Sequence, residues 1–228
     1  MNFSEKIFLA STSPRRLELL KQFGFKKIEI IDPQFDENKV KKDIPISKLV
    51  VELSNYKAQS TLKKLKKFDG FIISGDTEVY RCKKIFSKTS SEAKVKEYLT
   101  ELSGRKHFVY GGITVISSKG QISKKFVKTE VLFNKISQDE LNDKSLINEG
   151  IGKAGGYAIQ GLASKFVKKI KGSYTNVVGL SLSDLYLMLK GIGFKNWIFV
   201  QPIVIHTKTK CPGSSVGRAS DWKSLCRW

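Results

Sequence analysis

The chain has 228 residues, 40% of them apolar and 27% charged, with a formal net charge of +20. That length supports one substantial domain or two small lobes sharing a cleft, and the composition excludes a disordered chain. No apolar run approaches the ~20 residues of a membrane span, and the first residues lack a signal-peptide layout, so no membrane partner and a cytoplasmic location are expected.

In chain order, Ile7-Phe8-Leu9-Ala10 is a short apolar run, hence a buried strand. A helix is predicted from Ser13 to about Phe23, closed by Gly24, and Lys27–Ile31 reads as a second strand. Ser47 to Lys67 places Leu49, Val50, Leu53, Tyr56, Leu62 and Leu65 at helical spacing, a long amphipathic helix. Phe71-Ile72-Ile73 is a buried strand ending at Gly75-Asp76. A helix over Ser91 to Leu102 stops at Gly104. Two β-rich runs, His107–Ser117 and Gln121–Phe133, flank a Lys119-Gly120 hairpin turn. Ser137-Gln138-Asp139-Glu140 forms a capping box opening another helix, and Ser183–Leu189 is a final short one. The pattern is α/β with a mixed sheet.

The chain changes character near residue 196. All three tryptophans (Trp197, Trp222, Trp228) lie beyond it, with two of the three cysteines and five basic residues against the single acid Asp221. Residues 207–228 show no helical or strand period. The stretch Gly213-Ser214-Ser215-Val216-Gly217-Arg218-Ala219 is similar to peptides made when translation runs through a transfer-RNA gene. Residues 1–196 are therefore expected to form the catalytic domain, and 197–228 an atypical tail whose deletion leaves activity intact.

Metal and redox chemistry through sulfur is not supported. Cys82, Cys211 and Cys226 are widely spaced with no Cys-x-x-Cys pair, and His107 and His206 cannot build a site alone. The basic charge is mostly lysine spread along the chain. Its densest run, Leu62-Lys63-Lys64-Leu65-Lys66-Lys67, reads as a solvated helix face, so nucleic acid is not expected as a partner. Gly150-x-Gly152-x-x-Gly155 matches a dinucleotide-binding string but follows no buried strand.

The most informative segment is Ser11-Thr12-Ser13-Pro14-Arg15-Arg16-Leu17-Glu18-Leu19-Leu20. Ser13 suits an N-cap and Pro14 the first helical position, which puts Arg15 and Arg16 in the first turn. Cations there oppose the helix dipole at about 0.3–1 kcal/mol each. A bound phosphate would reverse that sign, with free backbone N–H groups, hydroxyls and two guanidinium forks converging on it. The alternative is that one arginine pairs with a nearby carboxylate such as Glu18. Asp76, after a buried strand, is either a functional carboxylate at a sheet end or a turn aspartate capping the next segment.

This opening run resembles the first motif of the Maf proteins. Further matches follow in order: Asp36-Glu37, Lys57-Ala58, Gly75-Asp76-Thr77, Leu102-Ser103-Gly104 with His107, Lys153 to Gly161, and Gly172 to Leu180. The resemblance covers roughly residues 5–194. It implies a mixed elongated β-sheet flanked by helices, two lobes around a cleft (Maf/ITPase-like), and hydrolysis of a nucleoside triphosphate to its monophosphate and pyrophosphate. It further implies Asp76 as proton acceptor, Glu37 and Asp76 as ligands of a divalent metal (Mg²⁺ or Mn²⁺), Lys57 and Lys88 near the phosphates, and a homodimer. In a chain this lysine-rich, Lys57 and Lys88 are otherwise surface residues by default. At Lys88 the family's Gly-Lys-Pro turn is Ser87-Lys88-Thr89 here, Gly75 stands for the usual alanine, and Ser181 replaces a proline.

Ser11, Arg15, Arg16, Thr77 and Gln160 are the implied substrate-binding residues. Arg16, Thr77 and Gln160 match the dTTP/UTP branch of the family, with modified pyrimidine nucleotides as further substrates. A glutamine amide offers a donor and an acceptor, as a pyrimidine edge with N3–H and a carbonyl requires. A glutamate at that position would instead suit the 7-methyl-GTP branch. The alternative from another class is a non-enzymatic basic protein acting in division control or nucleic-acid binding.

Overall fold

A computed structural model of the chain describes residues 5–34 and 44–194. Its centre is a seven-stranded mixed sheet. Strand β1 (Ile7–Leu9) pairs in parallel with β2 (Ile28–Ile30) on one side and β3 (Phe71–Arg81) on the other. The sheet continues antiparallel through β5 (Lys106–Ser117), β6 (Ile122–Phe133) and β7 (Val167–Lys171), while β4 (Lys84–Phe86) forms a hairpin with the end of β3.

The helices follow from local signals. Helix α1 (Pro14–Phe23) begins on Pro14 after an extended Ser13 and ends on Gly24, whose φ of 109° is a left-handed cap that only glycine adopts cheaply. Helix α2 (Ile46–Lys64) stops three residues short of the expected end, because Leu65 turns extended. Lys64 then donates to the Asp32 carbonyl at 2.7 Å. Helix α3 (Glu92–Leu102) is capped by the Ser91 hydroxyl. The capping box at Ser137 and Glu140 is present, but its helix α4 (Gln138–Leu141) lasts one turn before Asp143 caps a second, α5 (Lys144–Gly150). Helices α6 (Tyr174–Val178) and α7 (Leu182–Gly191) close the chain's described part. The short elements β4, β7, α5 and α6 carry no periodicity long enough to expect from sequence.

Alternation along the strands divides the core in two. Ile7, Leu9 and Ile73 face the larger cluster, which α1, α3 and α7 help to cover. Phe8, Ala10 and Ile72 face a smaller cluster under α2 with Ala58 and Ile116. Two glycines allow helices to sit flush on both faces. A Cβ on Gly112 would lie 1.9 Å from the Val50 carbonyl oxygen of α2, and one on Gly111 would lie 2.0 Å from Asn176 Oδ1 of α6. The register puts Gly112 opposite Asp76 and Gly111 opposite Thr77. These close helix-to-sheet approaches are therefore beside the two residues singled out by the Asp-Thr motif.

One expectation is corrected here. Asp76 lies in the middle of an 11-residue strand, not at a sheet end. The parallel part of β3 stops at Ile73 with β1, and the strand continues because β5 keeps pairing through Gly112 and Tyr110. The atypical tail, 197–228, lies outside the described residues.

Candidate active site

A cavity of about 720 Å³ opens between the start of α1, α2, β3 and the segments around residues 151–157 and 177–179. Its size suits a nucleotide-sized ligand. Among the described residues five cationic side chains line it, Arg15, Arg16, Lys57, Lys88 and Lys153, against one carboxylate, Asp32. Apolar groups form the rest of the wall, among them Val79, Val109, Tyr157 and Val177. A strongly positive cavity with an apolar side fits a ligand that is anionic at one end and aromatic at the other.

The centre of the site is a buried ion pair. Lys57 Nζ, from α2, lies 2.6 Å from Asp76 Oδ1, and the side chains are only 9% and 2% exposed. Asp76 Oδ2 is buried with no hydrogen-bond partner. Asp76 is not itself on the cavity wall; Lys57 is, and it reaches from the wall down to the carboxylate. Lys57 faces the sheet because α2 rides flush on Gly112, two helical turns before it. Glu78, two residues on and on the same face of β3, is a second buried carboxylate that the sequence reading missed. The strand alternation from Asp76 would have indicated it.

The two arginines of α1 diverge. Arg16 is buried and its guanidinium is held by protein acceptors. Nε donates to the Gly179 carbonyl at 2.9 Å, Nη1 to Ser11 Oγ at 3.0 Å, and Nη2 to Thr77 Oγ1 at 3.2 Å. Thr77 in turn donates to the same Gly179 carbonyl at 3.3 Å. Each of the three guanidinium nitrogens of Arg16 thus already donates to the protein. Arg16 clamps the Ser11 loop, β3 and the 177–179 turn together, because its i, i+1 neighbour on the helix points to another side. Gly75 belongs to this clamp: a Cβ there would sit 3.1 Å from Arg16 Nε. Arg15 makes no hydrogen bond among the described residues and faces the cavity, where burial lowers its pKa. No ion pair to Glu18 occurs among the described residues.

The Lys88 loop is held without the family's proline. The Thr89 carbonyl accepts from Gly152 N at 2.8 Å, and Thr89 Oγ1 accepts from Ser91 N at 3.1 Å. One residue thereby ties the loop to the 151–157 wall and to the start of α3. Gln160 is exposed and does not line the cavity; it sits on the turn closed by the Gly161 N to Ala158 carbonyl bond. Glu37 lies outside the described residues. His107 is buried behind the wall, its Nε2 2.9 Å from the Tyr157 hydroxyl. Burial pushes the histidine pKa down to about 4 and the tyrosine pKa up, so both are neutral at pH 7.

Among the described residues no cluster of three or more histidine, cysteine or acidic side chains could hold a metal. Mg²⁺ commonly takes only one or two protein carboxylates, the rest being water and phosphate oxygens. Asp76 Oδ2, buried and unpartnered, fits that requirement as one ligand. No helix among the described residues is long and apolar enough to cross a membrane.

A family model described as Maf-like protein matches residues 6–192. The dTTP/UTP pyrophosphatase of Chelativorans sp. (strain BNC1) is 42% identical over 204 residues, covering 86% of this chain and 97% of its own. That of Clostridium acetobutylicum is 42% identical over 196 residues, covering 82% and 98%. Among solved structures, the Staphylococcus aureus Ham1 protein matches with a TM-score of 0.41 and 14% identity over 57% of this chain and 72% of that one.

Proposed function

This chain belongs to the Maf family, and from that membership we propose that it hydrolyses dTTP and UTP to the monophosphate and pyrophosphate. The observation that carries the reading is the Lys57–Asp76 pair at the edge of a cavity lined by five cations. Cleavage at the α-phosphorus requires a nucleophilic water, a proton acceptor, and neutralisation of four phosphate charges.

The roles divide accordingly. The Asp76 carboxylate takes the proton as the water oxygen bonds to the α-phosphorus. The bond from that phosphorus to the α–β bridging oxygen breaks, and pyrophosphate leaves with the electron pair. Lys57 orients the Asp76 carboxylate through Oδ1 while presenting charge to the cavity. Arg15 and Lys88 bind phosphate oxygens, with Ser11 held at the same end by Arg16. The divalent ion, Mg²⁺ or Mn²⁺, would be held by Asp76 and Glu37 and would supply further neutralisation of the triphosphate. Thr77 and Arg16 select the pyrimidine by fixing the Gly179 turn, and Gln160 contributes its amide from the neighbouring loop. The active form is a homodimer located in the cytoplasm, and residues 197–228 are not needed for catalysis.

The test is pyrophosphate release from dTTP, UTP and 7-methyl-GTP with Mg²⁺ or Mn²⁺. Turnover of dTTP and UTP by the wild type, and none by Asp76→Asn, is the expected result. Preference for 7-methyl-GTP would move the chain to the other branch of the family. Salt-dependent DNA binding with no turnover would favour a binding protein instead.

A further inference from the structure

One cationic side chain on the cavity wall has no role in this scheme. Lys153 follows α5, and its Nζ donates to the Glu149 carbonyl in that helix's last turn. A lysine there is favoured by the helix dipole, and capping alone would explain one of its three N–H donors. Three observations go further. Lys153 lines the cavity together with Arg15, and burial lowers the pKa of both, with the Arg15 charge acting on Lys153 as well. Among the described residues neither forms an ion pair: Glu149, the acid acting on Lys153, accepts from Leu162 N through Oε2 at 3.0 Å, and its Oε1 is buried without a hydrogen-bond partner. Gly161 leaves the room for this: a Cβ there would meet Glu149 Oε2 at 1.9 Å. Finally, Arg15 has no acceptor among the described residues. Two partly dehydrated like charges repel unless an anion lies between them.

We propose that Lys153 and Arg15 together bind the phosphate chain of the substrate, and hence inorganic pyrophosphate. Glu149 positions Lys153 by holding Nζ through its carbonyl and turning its own carboxylate away. The proposal deepens the nucleotide-pyrophosphatase reading and rests on it for the identity of the substrate.

The experiment combines calorimetric titration of the full chain with inorganic pyrophosphate and steady-state kinetics on dTTP. It uses Lys153→Met, Lys153→Gln and Lys153→Arg. Loss of a charge-assisted contact made alike in ground and transition states weakens pyrophosphate binding and raises KM about tenfold or more, with kcat near wild type. The arginine variant stays near wild type in both. A pure cap would leave pyrophosphate affinity and KM unchanged in Lys153→Gln, whose amide can still donate to a carbonyl, and that result would overturn the proposal. If Lys153→Met fails to fold, the glutamine variant carries the test. A wild type that releases no pyrophosphate from dTTP or UTP refutes the enzymatic reading, while the titration still decides whether Lys153 binds a pyrophosphate anion.

Discussion

Replacing Lys57 by methionine leaves the Asp76 carboxylate stranded in the protein, and the cost can be worked from the structure. The pair is separated by 2.6 Å with both side chains nearly fully covered. At an effective dielectric of ~20, unit charges at that distance attract by about 6 kcal/mol. Desolvation cancels much of this in the intact pair, but removing one partner leaves the penalty without the attraction, about 3–5 kcal/mol. For a folded body of this size each kcal/mol moves Tm by about 2–4 °C, so Lys57→Met should unfold about 6–20 °C below wild type. The double variant Lys57→Met/Asp76→Asn removes the stranded charge and should regain much of that loss. Neither releases pyrophosphate from dTTP. Thermal unfolding followed by circular dichroism, run beside the pyrophosphate assay, reads both quantities. If Lys57→Met melts with the wild type, or the double variant melts no higher than the single one, the pair does not hold the site as argued.

Arg16→Lys removes a three-way fork that an ammonium cannot reproduce; stability should fall by about 2–4 kcal/mol in denaturant titration, and discrimination between dTTP and other triphosphates should narrow. Gly112→Ala drives a methyl into the α2 backbone and should cost at least about 3 kcal/mol with loss of turnover, whereas Gly120→Ala, in open space at φ +79°, should cost about 1–2 kcal/mol with activity kept. His107 is neutral in the folded protein down to about pH 4 but titrates near 6.5 when unfolded. Its depressed pKa means that unfolded chains bind the extra proton first, so stability is full above pH 6.5 and falls by about 3 kcal/mol between pH 6.5 and 4. His107→Phe should flatten that part of the stability profile measured by urea titration.

The long periodic elements were legible in the residues: α1 with its proline start and glycine stop, the two long strands β5 and β6, and the capping box at Ser137 all fall where the pattern puts them. What sequence could not supply was pairing. Nothing in Phe71 to Arg81 says that β3 runs on past Asp76, because that depends on β5 presenting Gly111 and Gly112 opposite it. The break between α4 and α5 was hidden for a related reason. Asp143 is both a plausible interior residue and a good cap, and only its side-chain bond to Ser145 N decides.

The site shows the same limit at the level of single side chains. Arg15 and Arg16 are indistinguishable as letters, and the dipole argument treats both as anion ligands. Consecutive helical residues point about 100° apart, so Arg15 stands on the cavity wall with no acceptor among the described residues, while Arg16, on the same wall, turns its N–H groups to Gly179, Ser11 and Thr77. Arg16 Nε and the Thr77 hydroxyl share the Gly179 carbonyl, so the residues that mark the pyrimidine branch fix one turn of the cavity wall. In a chain this lysine-rich, Lys153 reads by default as a surface residue. The Glu149 carboxylate accepts from Leu162 N through Oε2, a contact 13 residues along the chain that no local pattern announces.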